Sequence, residues 1–394
     1  MIRTTAFLLF TAFLVLGSAT LPAAPADPPA KDDTKTPDGF AGRTKAGKAR
    51  LLKEFGGSEE SEAAVMLGLA WLTQQQKQDG NWEYDGGASS VDHAAATGMA
   101  VLAFLGAGQS HKEGRYKQTV HAGLDWLVNA VDMNQGPNYG KFRTIGSMYS
   151  QGIAALALCE AYGMTHDPKL KAAAQVAIDY IQKGQGPRGS WGYAAGTDND
   201  TSILGWQIQA LHAAKMTQDL VVDEKVIKKA IGFLDYVGSG KTKSAYGYAS
   251  PPGAPATALT AIGLLCRYYV DGWRPETPGF AEGSKGLLKL AVGKRQPGPL
   301  ANLYYYYYAT QVVRFYGGEE WKTWNEGPLG ADGKRTGGLP DWLMSLQVRT
   351  PANRGSWDPE QGSFGLCGRV GTTCMCLLTL EVYYRYAPEE KPLK

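Results

Sequence analysis

The sequence predicts an all-α protein made of six helical hairpins, with one helix of each pair in an inner ring and the other in an outer ring. Three observations carry this reading. Bulky pairs recur at Trp71-Leu72, Trp126-Leu127, Tyr180-Ile181, Phe233-Leu234, Leu287-Leu288 and Trp342-Leu343, in steps of 53 to 55 residues. A second helix follows each pair, marked by Gly98/Phe104, Gly152/Leu158, Gly205/Leu211, Ala258/Leu264, Ala309/Phe315 and Cys374/Leu380. The third observation is that the two helix types differ in polarity.

A fixed period near 54 residues signals a repeat architecture, because one hairpin cannot bury its own apolar face. Six such units form either an open solenoid or a closed ring. The second helices are apolar all round, as in Thr97-Gly98-Met99-Ala100-Val101-Leu102-Ala103-Phe104-Leu105, and such a helix must be surrounded. The first helices are amphipathic, as in Lys228-Lys229-Ala230-Ile231-Gly232-Phe233-Leu234. The second helices are therefore expected inside and the first outside. The last step between second helices is 65 residues instead of 51 to 54, which predicts one insertion before the final helix.

Taken in chain order, residues 1–26 read as an export signal. Arg3 is a minimal basic region, Ala6 to Leu16 an apolar run, and Ser18 to Ala26 a small-residue cleavage zone. The expected location is periplasmic or extracellular, with membrane association only through an uncleaved signal segment. Residues 27–56 are rich in Pro, Ala, Lys, Asp and Gly and read as a disordered linker. The repeats span 57–388, and 389–394 form a tail. At 394 residues and 44% hydrophobic, the chain can bury a large core. With 40 basic against 37 acidic residues and no basic stripe, nucleic acid is excluded as a partner. Four of the five cysteines, Cys159, Cys266, Cys374 and Cys376, sit in apolar helical runs and read as buried free thiols.

A motif marks three of the repeats: Trp71-Leu72, Gln76 and Gly80-Asn81-Trp82; Tyr180-Ile181, Gln185 and Gly189-Ser190-Trp191; Trp342-Leu343, Gln347 and Gly355-Ser356-Trp357. Its physical role is structural. The glutamine amide is expected to satisfy free carbonyls at the end of the first helix, and the tryptophan to pack over the turn. This motif is similar to the repeat of squalene and hopene cyclases. That resemblance covers residues 58–388 and implies the α/α toroid of the terpenoid cyclase and protein prenyltransferase superfamily. The chain also resembles exported bacterial prenyltransferase and squalene oxidase repeat proteins at Met148 to Ala154, Asp200-Thr201-Ser202 with Gly205-Trp206-Gln207, Tyr304 to Gln311, and Leu377 to Arg385.

If the second helices line a cavity, their N-termini form its mouth, and their dipoles bias it towards negative or electron-rich groups. Candidate catalytic residues there are Asp92, His93, Asp198 and Asp200; Asp92 and Asp200 also read as helix N-caps. Candidate ligand-binding residues are Tyr149, Gln151, Trp206, Gln207, Tyr304, Tyr305, Tyr308 and Arg369. Tyr304 and Tyr308 share a helix face, with Tyr305 beside Tyr308. Thr197-Asp198-Asn199-Asp200-Thr201-Ser202 resembles the Asp-x-Asp-Asp-Thr-Ala acid motif of class II terpene cyclases, but Asn199 stands at the proton donor's position. Cys367-Gly368-Arg369 lacks the thioester loop's glutamate and glutamine. No metal and no cofactor are expected. The resulting expectation is an exported toroid whose cavity binds an apolar or isoprenoid-type ligand. The alternatives are an active terpene cyclase or prenyl transferase, or a glycan-binding or carbohydrate-active α/α barrel.

Overall fold

The computed structural model describes residues 38–87, 91–144, 146–292 and 302–387. The signal segment, the first part of the linker and the tail 389–394 lie outside them. Six helices form the inner ring: α3 (His93–Gly106), α5 (Met148–Thr165), α7 (Thr201–Met216), α9 (Ala258–Val270), α11 (Leu303–Tyr316) and α14 (Gly368–Leu380). Each packs on the next, and α14 packs back on α3, so the ring is closed. The protein is an α/α toroid. All residues of α3 from Ala94 to Gly106 are buried, which explains its apolar character on every side.

The outer ring holds α2 (Glu59–Gln75), α4 (Lys117–Ala130), α6 (Pro168–Lys183), α8 (Glu224–Val237), α10 (Pro278–Leu287) and α13 (Leu339–Leu346). An outer helix such as α4 or α6 touches two inner neighbours. An additional helix, α12 (Gly318–Glu326), joins α11 to α13 and was not foreseen. It is hidden in the period because α13 is only 8 residues long, so the bulky pair keeps its spacing. The insertion before α14 is present as the loop after Gln347, with short 3-10 turns at Pro351–Asn353 and Ser363–Cys367.

The three full motifs work alike, though with exchanged roles. The tryptophan, not the glutamine, caps the outer helix. Trp82, Trp191 and Trp357 each donate their indole N–H to Leu72, Ile181 or Leu343 of the bulky pair, at 2.7–2.8 Å. The glutamine amide instead bridges repeats. Gln76 donates to Gly80 of its own turn and to Thr119 of the next outer helix, both at 2.9 Å. Gln185 bridges Gly189 and Val226 in the same way, and Gln347 bridges Gly355 and Ala64, which closes the circle from last repeat to first. The motif glycines Gly80, Gly189 and Gly355 all have φ of 96°. A side chain there would be strained and would also collide with a carbonyl of the neighbouring outer helix. Gln185→Ala is expected to destabilise the protein by about 1–3 kcal/mol, since the Val226 and Gly189 carbonyls lose their donor. A chemical-denaturation midpoint equal to that of wild type contradicts this role.

Residues 38–55 differ from the linker expected there. Asp38–Arg43 form a 3-10 helix and Lys45–Phe55 form α1, capped by Thr44. Phe40, Arg43 and Leu51 are buried. Composition concealed this, because a few apolar anchors among many Lys, Gly and Ala suffice to dock a short segment. Phe40 lies against Gly163 near the C-terminal end of α5. Together with Glu381–Tyr386, this segment fills the end of the barrel where the inner helices terminate.

Candidate functional site

The opposite end, where the inner helices begin, is hollow. A cavity of ≈ 730 Å³ opens there, within the usual size range for small-molecule sites. Its walls come from the starts of α3, α5, α7, α9 and α11 and from the insertion before α14. Met99, Ile153 and Trp206 are its deepest contributions, about two helical turns or ~10 Å below the caps. Beneath them the axis is filled. Trp206 stacks on Tyr307 at 5.6 Å, Gln209 bonds both Tyr307 and Tyr308, and Arg385 reaches the Tyr307 hydroxyl at 3.1 Å. The chamber is thus a cup at the mouth, not a tunnel through the ring.

The cup is aromatic. Tyr84, Tyr149, Tyr193, Trp206, Tyr304 and Phe364 present ring surface to it. Tyr149 and Tyr193 meet edge to face at 5.8 Å, and Tyr304 lies over Phe364 at 6.3 Å. Two carboxylates stand on its wall, Asp92 and Glu360. Asp92 caps α3 through the Ala95 N–H at 3.1 Å and accepts the Ser150 hydroxyl at 2.5 Å. Burial holds its carboxyl above the ordinary range, outweighing those two hydrogen bonds. Glu360 accepts the Leu303 N–H at 2.8 Å and so caps α11, whose own residue Asn302 offers no cap. The other oxygen of Glu360, Oε2, is buried and has no partner among the described residues. Cys367 lies on the same wall; burial and then the nearby Asp92 and Glu360 push its thiol up to about 12, so it is a neutral thiol. All five cysteines are free.

Of the residues singled out from the sequence, Asp92, Tyr149, Trp206 and Tyr304 meet at the cavity, with Tyr308 beneath Tyr304, their hydroxyls 3.5 Å apart. The others lie elsewhere. His93 turns outward towards Trp126 and Glu83, because the first helical residue is rotated by about 100° from the next. Asp198 accepts the N–H groups of Arg188 and Ser190 and so organises the Gly-Ser-Trp turn. Asp200 accepts those of Ser202 and Ile203 and the Tyr248 hydroxyl, at 2.6–3.0 Å. Asn199, at φ 84°, donates its backbone N–H to the Ser190 hydroxyl. Gln151 bridges Gly140 and Ala177, taking over in the second repeat the task of the motif glutamine. Gln207 donates to the Met148 carbonyl at 2.6 Å. Tyr305 points outward to the Leu287 carbonyl, and Arg369 pairs with Asp358. Among the described residues no three His, Cys, Asp or Glu side chains gather as a metal site.

Glu360, Tyr84, Tyr193 and Phe364 were not singled out from the sequence. Glu360 and Phe364 fall in the insertion before α14, and per-repeat insertions commonly map to a binding face; that was the available signal. Tyr84 follows the first Gly-x-Trp by two residues and carries no signal of its own.

By sequence, the chain matches no family model and no curated protein. Solved structures share its fold. The α-1,6-mannanase GH76A of Salegentibacter sp. HEL1_6 matches at 11% identity over 82% of this chain and 99% of that one, with a TM-score of 0.51. An α-amylase from Clostridium perfringens matches at 12% over 82% and 98%, TM-score 0.52. The type II terpene cyclase MstE from Scytonema, without ligand, matches at 13% over 82% and 98%, TM-score 0.51. At such identities the likeness extends to the α/α toroid and no further.

Proposed function

We propose that this protein binds a ligand with an apolar, isoprenoid-type body in the mouth of its inner barrel, in the exported compartment to which residues 1–26 direct it. The observation that carries this reading is the cup of six aromatic side chains in a cavity of ≈ 730 Å³. Such a wall rewards burial of apolar surface at about 25 cal/mol per Å². The cyclase and prenyl-transfer alternatives gain less support: Asp198, Asn199 and Asp200 are engaged in a turn and a helix cap. Extraction of the purified protein with organic solvent is expected to release a polyprenyl lipid detectable by mass spectrometry. Farnesol is expected to quench tryptophan fluorescence on titration. Tyr304→Ala, at the half-buried rim of the cup, is expected to weaken farnesol binding about tenfold or more, the equivalent of one lost apolar contact surface. A lipid-free protein that ignores farnesol and binds α-1,6-mannotriose overturns the proposal.

That outcome belongs to a second reading, favoured by one observation: Asp92 and Glu360 share the cavity wall with tyrosine and tryptophan faces. Paired carboxylates among aromatic platforms are the equipment of glycosidases, and the Salegentibacter enzyme of the same fold is an α-1,6-mannanase. Release of reducing sugar from an α-1,6-mannan, abolished by Asp92→Asn, is the result this second reading expects. Asparagine keeps the α3 cap, so loss of turnover without loss of helicity separates chemistry from folding.

A further inference from the structure

We propose that the head group accepted by this cavity is a neutral or cationic hydrogen-bond donor, an alcohol or an ammonium, and that phosphate is rejected. This rests on the apolar-body reading above and specifies which ligands satisfy it. Six helix N-termini converge on the mouth, and such ends ordinarily attract anions. Here four of them already hold a carboxylate. Asp92 caps α3, Asp200 caps α7, Glu360 accepts the Leu303 N–H of α11, and Asp85 accepts the Val370 N–H of α14 at 2.9 Å. The remaining two, α5 and α9, are capped by the hydroxyls of Ser147 and Thr257. Each of the six therefore already donates at least one first-turn N–H to an oxygen of the chain's own, and four of the dipoles face a carboxylate.

Two further observations give the wall its preference. Among the described residues on the cavity wall there is no Lys, Arg or His, while Asp92 and Glu360 are both there. Glu360 is 5% exposed, and its Oε2 has no partner among the described residues. A buried carboxylate without a full set of donors is costly, and the carboxylates of Glu360 and Asp92 favour an O–H or N–H donor over an anion at the wall they line. Aromatic faces around it also favour a cation over an anion. A diphosphate placed there would meet like charge from Asp92 and Glu360 and, among the described residues, no Lys or Arg on the wall.

The test is calorimetric titration of the full-length protein with three probes that share one apolar body: farnesol, farnesylamine and farnesyl diphosphate. The alcohol and the amine are expected to bind, and the diphosphate to bind at least about tenfold more weakly than farnesol. Glu360→Gln keeps a carbonyl oxygen for the Leu303 N–H and removes the charge, so the gap between farnesol and diphosphate is expected to narrow severalfold. A diphosphate that binds wild type as tightly as farnesol overturns this inference alone, whatever the variant does. An unchanged gap in a folded Glu360→Gln overturns it as well. If none of the three probes binds, the apolar-body reading falls and takes this inference with it.

Discussion

Glu160→Ala is expected to lower the unfolding free energy by about 3–5 kcal/mol, the usual result of removing one partner of a buried charge cluster. Glu160 lies near the C-terminal end of α5 and is fully buried. It accepts Arg43 Nη1 at 2.7 Å, Arg385 Nη2 at 3.1 Å and the Tyr386 hydroxyl. Arg43 comes from the segment before α1, and Arg385 and Tyr386 from the segment after α14. One carboxylate thus ties the segment before α1 and the segment after α14 to the base of the barrel. Without it, two buried guanidinium groups face each other across the space the carboxylate had filled. The loss is measured by guanidinium-induced unfolding; a change under about 1 kcal/mol would mean that the arginines find other partners.

The same group sets a pH dependence. Burial alone would raise the Glu160 carboxyl, but Arg385 and Arg43 outweigh it and hold it below the usual glutamate value of 4.5. Its stabilisation is therefore complete above pH 4.5 and is lost as pH falls through the depressed folded-state value. Glu381 acts with the opposite sign. It is fully buried, neither oxygen is paired among the described residues, and burial raises it well above 4.5. Its contribution is present below that pH and declines as pH rises through the raised value. The difference between wild type and Glu160→Gln, followed from pH 7 towards pH 3, isolates the first effect: the wild-type advantage is expected to shrink with acidification. An advantage that grows on acidification contradicts the assignment.

What was legible in the sequence follows the range of the interactions. The hairpins, their register and the inside-outside assignment rest on local periodicity, and Trp71 through Trp342 announced them. The ring itself was legible from second helices apolar on every side and from the resemblance, but the contact that closes it was not, because Gln347 meets Ala64 across 283 residues. Likewise Arg43, Glu160 and Arg385 are separated by 117 and 225 residues, and nothing local marks three such residues as partners. At the mouth, the end of the barrel was legible from helix polarity, but the facing of each side chain was not. Asp92 turns in and His93 turns out, although they are neighbours. Tyr304 turns in and Tyr305 turns out for the same reason, one residue being about 100° of helix. The run of five tyrosines therefore serves two tasks, wall and core, and only coordinates divide them.

Trp191→Ala is expected to be comparably damaging, at about 3–5 kcal/mol for a fully buried indole, and to leave ligand affinity untouched in whatever fraction stays folded. Trp191 is fully buried, caps the Ile181 carbonyl at 2.8 Å and takes no part in the cavity wall. Trp191→Phe separates two components. It retains most of the apolar volume and leaves the Ile181 carbonyl without its donor, a loss of about 1–3 kcal/mol. Tyr304→Ala should behave the other way, with weakened farnesol binding and a smaller stability change, since its ring is only half buried. The pair of variants, scored by unfolding midpoint and by farnesol titration, distinguishes a staple from a site. If Trp191→Phe weakens binding as much as Tyr304→Ala, the repeated Gly-x-Trp motif does more than hold the ring together, and the division between a structural outer turn and a functional inner cup fails.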